Sequence, residues 1–250
     1  MNGFEVENKR ISQERILIFL QYVLLWMIIL QKIREILENE EVILTNSNLS
    51  GDGKRTSTDI LEEYRKFQQE LDIETITKGQ LEILYSLQIE YNLAILSEGN
   101  LSITDYVVNG IITIGFDEAQ DVVGNYKVNA HYGIDVVGGD LKSPFFLQAI
   151  GGSESGSNDK IFSIVGTDLK IRIKHGDKGQ AIHDTYSPGD KIMSFPKFNN
   201  ANIASTGPHF HIDMSNGSKF LNPLTFQASN TQFKQTKDGG KKWYDVNAKY

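Results

Sequence analysis

Two short motifs contain residue types that can bind a metal ion. The first, at positions 131–135, reads HYGID, so an imidazole and a carboxylate are four residues apart with a glycine between them. The second, at positions 209–211, reads HFH. A catalytic zinc usually takes three protein ligands from His, Asp or Glu and keeps a fourth position for water. His131, Asp135 and one histidine of the second motif could supply such a set.

Each motif alone has a simpler interpretation: the first is compatible with a turn ion pair, and the second with an exposed histidine pair that has no role. In a β-strand, residues two apart project from the same face, so His209 and His211 would point to one side and Phe210 to the other. Gly207 and Pro208 would end the preceding loop and start that strand. The joint occurrence of both motifs favours a metal site.

The composition narrows the chemistry of that site. The chain has 250 residues, 40% hydrophobic and 23% charged, which suits one large globular domain or two modest ones. It has no cysteine, which excludes disulfides, thiolate zinc sites and thiol nucleophiles, so a metal would have to be held by His and carboxylates. The net charge of -7 and the pI near 5.3 argue against a surface built for nucleic acid, and we expect no such partner.

Residues 1–100 are predicted to be a helical region. Only 5 of the 22 glycines precede residue 100, and most residues from 11 to about 96 are good helix formers. Apolar positions such as Leu61, Tyr64 and Phe67 recur at three- and four-residue steps. Asn, Ser and Gly cluster near positions 46–56, which divides the region into at least two helical units.

An apolar run at positions 16–30, ILIFLQYVLLWMIIL, has two interpretations that remain open. It is shorter than the stretch of about 20 apolar residues that a spanning helix needs. It is therefore either a membrane anchor or a helix that packs against protein. The sequence Gln31-Lys32-Ile33-Arg34 follows the run where a signal peptide would carry small residues, so a cleaved signal is not favoured.

After residue 105 the pattern changes to short runs of β-branched and aromatic residues, separated by Gly, Asn, Asp and Ser clusters. Such a pattern predicts an antiparallel β domain. The predicted strands are 106–114, 145–150, 161–165, 169–174, 191–195 and 210–214. Residues 227–250 are polar and are predicted to form a peripheral tail or a terminal hairpin. The expected fold class is α+β, with a helical N-terminal region followed by a mainly antiparallel β domain.

The two motifs together resemble those of a known family. HYGID followed much later by GPHFHID is similar to the H-x-G-x-D and G-P-H-x-H-x-[DE] patterns of M23 zinc metallopeptidases, the lysostaphin and LytM type. Further agreement comes from IRIKHG at 171–176, PGDKI at 188–192 and Asn222-Pro223. The resemblance covers about residues 105–226 and predicts a LytM-like peptidase domain there.

The resemblance assigns roles to the motif residues. It implies that His131, Asp135 and His211 are ligands of a zinc ion (Zn2+), the cofactor expected here, and that His209 is a catalytic group beside the water. Asp213 would lie on the same strand face as the two histidines and is a weak candidate for orienting a ligand.

The family has a second catalytic histidine, usually within Tyr-x-His-Leu, and this chain lacks that sequence. His175 and His183 are the two candidates for it. We favour His183, because His175-Gly176 already matches an earlier strand end of the family. Ala181 and Asp184 stand where Tyr and Leu are usual, which puts the rate of turnover in question.

The implied activity is endopeptidase cleavage of peptides in bacterial peptidoglycan, with the protein at the cell envelope or otherwise outside the cytoplasm. Its partners would be peptidoglycan peptides, with possible membrane association through residues 16–30. The alternative is a non-catalytic LytM-like module that binds the cell wall or activates another wall hydrolase. Because the chain keeps all three expected metal ligands, the sequence favours the enzyme.

Overall fold

The structure is a computed structural model that describes residues 55–72, 75–119, 127–152, 159–176, 183–196, 207–236, 238, 241–246 and 248. All of them belong to one of two units of the chain, Arg55–Tyr250. The apolar run at 16–30 lies outside the described residues. Within the described part of the chain, no helix is long and apolar enough to span a membrane.

Among the described residues, three helices precede the first strand: α1 (Ser57–Glu70), α2 (Lys78–Glu98) and α3 (Ile103–Tyr106). Each begins with a capping box, in which a Thr or Ser side chain accepts from a backbone N–H and a side chain three residues later accepts from the cap's own N–H. Helix α2 ends at Gly99, whose φ of 74° lies in the left-handed region that glycine adopts without steric cost. Local sequence signals therefore set these helix ends.

In the part of the chain that the structure describes, thirteen strands follow, all paired in antiparallel fashion. Their bounds are β1 Ile111–Ile114, β2 Lys127–Val128, β3 Ile134–Val137, β4 Leu141–Lys142, β5 Leu147–Gly152, β6 Lys160–Ile164, β7 Lys170–Lys174, β8 Thr185–Tyr186, β9 Lys191–Met193, β10 Phe210–Ser215, β11 Phe220–Leu221, β12 Lys234–Thr236 and β13 Tyr244–Asp245. The main sheet has the order β1-β3-β10-β7-β6-β5-β8, with β11 on β10, and two small sheets are β13-β12-β2 and β4-β9.

The main sheet has one apolar and one polar face at its centre. Strand β10 lies between β3 and β7, and its Ile212 is opposite Ile134 and Ile173. These three side chains are buried in the largest hydrophobic core. Because neighbours along a strand alternate between faces, His211 and Asp135, which are opposite each other, project from the other face.

The pair formed by α1 and α2 packs on the end of strands β5 and β6. Tyr64 and Tyr91 contact Phe146 with ring centroids 4.6 and 5.3 Å apart. The fully buried Asn92 donates to the carbonyls of Phe146 and Val165, at 3.0 and 2.9 Å, and accepts from the Phe146 N–H at 3.0 Å. The helical pair therefore shares a core and a satisfied polar contact with the sheet.

The expectation of an α+β fold, helices first and a mainly antiparallel sheet after them, is confirmed. The strand predicted at 106–114 is wrong in its first half. The Ser102 capping box starts α3 at Ile103, and this helix includes Tyr106. Asn109 then turns the chain with a φ of 52°, and the strand begins at Ile111. In the C-terminal segment 227–250, β12 pairs with β13 and with β2, and the buried Phe233 packs on Phe116.

Candidate metal centre

Three buried side chains meet on the polar face of the sheet. The Nε2 of His131 lies 3.1 Å from Oδ1 of Asp135, and the Nδ1 of His211 lies 2.9 Å from the same oxygen. The two imidazole nitrogens are 3.0 Å apart. His131, Asp135 and His211 are each no more than 6% exposed. Two nitrogens and one oxygen thus converge on one point from two strands and the turn before β3.

This donor set fits a zinc ion. A tetrahedral site with bonds of about 2.0–2.1 Å places its ligand atoms about 3.3 Å apart. The three observed separations, between 2.9 and 3.1 Å, need to widen by only a few tenths of an ångström. Two imidazoles and one carboxylate are also the ligand types that zinc accepts in catalytic sites that contain no thiolate.

His131 is held in the orientation that a ligand needs. Its Nδ1 lies 3.2 Å from the Gly115 carbonyl, and since a carbonyl only accepts, this nitrogen carries the proton. The Nε2 lone pair is then directed at Asp135. The backbone of His131 is fixed as well, because its carbonyl accepts from the backbone N–H of Asp117 and its N–H donates to the backbone carbonyl of Glu118. An outer partner that sets the tautomer in this way is usual for histidine ligands.

The glycine of the HYGID motif allows the turn to approach His211. A Cβ on Gly133 would lie 2.5 Å from the Ile212 carbonyl oxygen and 2.9 Å from Nε2 of His211. Any side chain there would push the 131–135 segment away from β10. Glycine at this position is therefore required by the close packing that brings His131 and Asp135 to His211.

Both carboxylates of the centre are ionised. Burial raises the pKa of Asp135, but the adjacent imidazoles of His131 and His211 outweigh burial and leave the pKa well below its ordinary value of 3.8. Burial likewise raises the pKa of Asp213, while Lys174, His211 and Arg172 lower it below the ordinary range. An ionised Asp135 is the form that can bind a metal.

His209 lies beside the three presumed ligands. Its Nδ1 is 2.9 Å from the Gly207 carbonyl, which fixes the proton on that nitrogen, and its Nε2 is 3.5 Å from Oδ2 of Asp135. The strand alternation that the sequence predicted for the HFH motif is therefore present: both imidazoles are near Asp135, and Phe210 is buried in the core on the other face.

The structure separates the two candidates for the second catalytic histidine. The His175 ring is 4.8 Å from the His209 ring, and its buried Nδ1 has no hydrogen-bond partner among the described residues. His175 also has a φ of 65°, a left-handed conformation that costs a non-glycine residue about 1 kcal/mol or more. Burial and the neighbouring His209 lower the pKa of His175 to about 3, so it is neutral near pH 7.

His183, the favoured candidate of the sequence analysis, is exposed, and its ring packs on Tyr186 at 5.8 Å. Within the described residues, no hydrogen bond, ion pair or ring contact joins it to His131, Asp135 or His211. Its catalytic role stays a prediction.

Sequence reasoning missed the side chains behind His211. Arg172 and Lys174 on β7 both contact Asp213 on β10, at 3.0 and 3.6 Å. The signal was present in the alternation of KIRIK at 170–174, whose basic residues share one strand face. What the sequence did not contain was the register that places this face beside Asp213.

No protein-family model and no curated protein matches this chain. Solved structures similar to it include the catalytic domain of the prophage-encoded M23 protein EnpA from Enterococcus faecalis, at 16% identity and a TM-score of 0.36. That match covers 47% of this chain and 92% of the EnpA domain. The catalytic domain of the antimicrobial peptidase lysostaphin from Staphylococcus simulans matches at 20% identity and a TM-score of 0.35, covering 48% of this chain and 89% of that domain.

These neighbours are M23 peptidases, the family that the sequence motifs predict.

Proposed function

We propose that the chain is a zinc-dependent endopeptidase that hydrolyses peptide bonds in bacterial peptidoglycan. The observation that carries the proposal is the convergence of His131, Asp135 and His211, three buried side chains whose ligand atoms lie within 4.8 Å of one another. A site of this kind gives zinc one carboxylate and two neutral imidazoles. Zinc held by such a set acts as a Lewis acid and lowers the pKa of a water molecule toward neutrality.

The protein's own groups would move the proton. Because Nδ1 of His209 donates to the Gly207 carbonyl, its Nε2 lone pair faces the centre near Asp135. Nε2 can therefore take a proton from the attacking water and return it to the departing amine.

A second histidine would stabilise the oxyanion of the tetrahedral intermediate. His183 is our proposed group for this role, on the strength of its position in the sequence. His175 is the alternative, and its ring contact with His209 is the support for it. Either imidazole could donate a hydrogen bond to the developing negative charge, an interaction worth about 10²–10³-fold in rate when one such donor is removed.

The substrate and the location are part of the same proposal. The HYGID and HFH motifs, with the other M23-like segments, support peptides of the cell wall as the substrate and a place outside the cytoplasm for the protein. Association with the membrane through residues 16–30 remains a prediction.

The test is to measure zinc content and peptidoglycan digestion on the purified full chain. We expect one zinc per chain, and wall fragments whose masses identify the bond cut. His211→Ala should lose both. Asp140→Ala is the matched control, because the Asp140 side chain is 43% exposed and pairs with Lys191, and it should retain both.

Absence of zinc from the wild-type chain would contradict the proposal. Stoichiometric zinc without any fragments would favour the second candidate function, a non-catalytic module that binds the wall or activates another wall hydrolase. The observation in favour of that candidate is that the chain lacks Tyr-x-His-Leu, and that His183 contacts none of His131, Asp135 or His211.

A further inference from the structure

A polar cleft of about 540 Å³ lies next to the segment that holds His131. Phe116 and Asp117 line the cleft, and the backbone N–H of Asp117 donates to the His131 carbonyl at 2.7 Å. The other lining residues belong to the segment 222–231, which follows β11. The volume is within the range of about 300–1,000 Å³ that is usual for small-molecule sites. We call this cavity the 116–231 cleft.

The lining of the 116–231 cleft is mostly neutral and polar. It includes three carboxamides and three hydroxyl groups, from Asn222, Gln227, Asn230, Thr225, Ser229 and Thr231. Carboxamides and hydroxyls can both donate and accept hydrogen bonds. Among the described residues that line the cleft there is no Lys, Arg or His, so the lining offers no cation to an anionic ligand. The ligand that fits is therefore neutral and has several groups that both donate and accept.

The main chain around the cleft already has hydrogen-bond partners. The Asn222 N–H donates to the Gln227 carbonyl at 2.9 Å, and the Phe226 N–H donates to the Asn222 carbonyl at 2.8 Å. The Thr231 N–H donates to Oγ of Ser229 at 2.8 Å. Proteins commonly hold an extended peptide through main-chain groups, and these N–H groups are not available for that purpose. Side-chain amides and hydroxyls are left to bind the ligand, which favours a sugar over a peptide.

Two residues at the cleft keep its walls in an unusual backbone conformation. Asp117 has a φ of 65° and Phe226 a φ of 60°, in the left-handed region that is unfavourable for a side chain as bulky as Phe. Such conformations persist where surrounding contacts impose them, and they are concentrated at functional sites. The Phe226 ring packs on Phe145 at 6.0 Å, and the Ser229 hydroxyl donates to Oδ2 of Asp117 at 3.0 Å. The cleft is therefore shaped before a ligand enters, which lowers the entropic cost of binding.

Phe116 supplies an aromatic ring to the cleft. Its ring packs on the buried Phe233 with centroids 5.8 Å apart, and this contact fixes its orientation. The face of an aromatic ring is electrically negative, whereas the C–H groups of a sugar ring are slightly positive. A sugar can therefore pack its C–H groups on Phe116 while its hydroxyls reach the carboxamides.

We propose that the 116–231 cleft binds a neutral saccharide. The inference rests on the proposed function for the source of that saccharide, which is the glycan strand of peptidoglycan. This glycan consists of N-acetylated amino sugars, and each acetamido group adds a donor and an acceptor that a carboxamide can pair with. Because the wall peptides are attached to the glycan, a glycan held beside the His131 segment would keep those peptides near the candidate metal centre.

The test is an NMR titration of the metal-free full chain with triacetylchitotriose, a soluble oligomer of N-acetylglucosamine. We expect saturable shifts of the backbone amide signals of residues 115–118 and 224–231. The absence of saturable shifts would overturn the inference, and so would shifts confined to other residues. A tetraglycine peptide at the same concentrations is the comparison, and equal binding of both probes at the cleft would overturn the assignment to a saccharide.

A double variant, Gln227→Ala with Asn230→Ala, tests the carboxamides. Both side chains are exposed, and Asn222 donates to the main-chain carbonyl of Gln227, so the fold should be retained. Loss of two hydrogen bonds should weaken triacetylchitotriose binding about 10-fold or more. Gln69→Ala, at an exposed amide on α1, is the matched control and should bind as the wild type does. Wild-type affinity in the double variant would overturn the inference.

This experiment and the test of the proposed function can fail separately. Saccharide binding is measured without zinc and without cleavage of any bond. Binding at the cleft in a chain that holds no zinc would therefore contradict the peptidase and leave the saccharide site standing. Zinc and wall fragments without saccharide binding would support the peptidase and overturn the saccharide site.

Discussion

Asn92 and Asp213 are both fully buried polar side chains, yet they are used in opposite ways. Asn92, in the contact between the helical pair and the sheet, is neutral and hydrogen bonds to three backbone groups of Phe146 and Val165. Asp213 is charged and contacts the side chains of two cations and of His211. The first arrangement joins two parts of the fold, and the second surrounds a group that is proposed to do chemistry.

If the proposed metal site is correct, stability and metal binding depend on separate buried polar groups. A neutral amide whose donors and acceptor are satisfied by the main chain can be buried at little cost. Burying a carboxylate and two cations has a larger desolvation cost than burying a neutral amide. We therefore expect such a group where its charge contributes to function. A change at Asn92 should therefore lower stability without altering zinc binding. The following predictions test this separation.

The largest effect is expected from the second catalytic histidine. His183→Ala should lower kcat for peptide hydrolysis about 10²–10³-fold and leave the zinc content unchanged, because an oxyanion donor acts after the metal is bound. His175→Ala is the matched variant, and steady-state kinetics with a defined wall peptide gives the readout. If His175→Ala has the large effect and His183→Ala has none, the two roles are exchanged.

Asn92→Ala tests the helix–sheet contact. The change removes the acceptor of the buried Phe146 N–H and one donor from each of two carbonyls, of which that of Phe146 still accepts from the Val165 N–H. Each unsatisfied buried group costs about 1–3 kcal/mol. We expect the free energy of unfolding to fall by about 2–4 kcal/mol in denaturant titrations.

Zinc affinity of folded Asn92→Ala should equal that of the wild type. Glu82→Ala, an exposed change on the same helix, is the control and should alter stability by less than about 0.5 kcal/mol. A large loss of zinc affinity in folded Asn92→Ala would contradict the separation of the two groups.

Gly133→Ala tests the approach of the HYGID turn to β10. The new Cβ would lie 2.5 Å from the Ile212 carbonyl oxygen, so the turn must shift away from His211. We expect a loss of stability of about 1–3 kcal/mol from this overpacking, together with weaker zinc binding. Gly207→Ala, where a Cβ meets no atom within 4 Å, is the matched glycine control. Wild-type zinc affinity in Gly133→Ala would show that the close approach is not needed for binding.

The last expected effect is a pH dependence of stability from His175. Burial and the neighbouring His209 lower its pKa from 6.5 to about 3, so the unfolded chain binds a proton that the folded chain does not. The stability from the neutral buried form is complete above about pH 6.5 and is lost progressively as the pH falls from there toward 3. Metal-free protein should show this slope in denaturant titrations, and His175→Gln should flatten it. An unchanged slope in His175→Gln would exclude His175 as its origin.

The grouping of His131, Asp135 and His211 could be predicted because its signals are local. The spacing in HYGID and the two-residue period of HFH hold for any strand that contains them, and the absence of cysteine restricts the donor types. The partners of Asp213 could not be predicted in the same way, because they depend on which residue of β7 lies opposite which residue of β10. The hydrogen bonds of Asn92 could not be predicted for a similar reason, because its acceptors are 54 and 73 residues away in the sequence.

The bond from the Phe146 N–H to Oδ1 of Asn92 makes one backbone amide a natural reporter. Helix α2 supplies its acceptor, so that amide exchanges with solvent deuterium only when the helical pair leaves the sheet. The exchange rate at Phe146 therefore measures how often the two parts separate. The ratio of that rate with and without zinc would measure how much zinc binding at the candidate centre changes the free energy of separating the helical pair from the sheet.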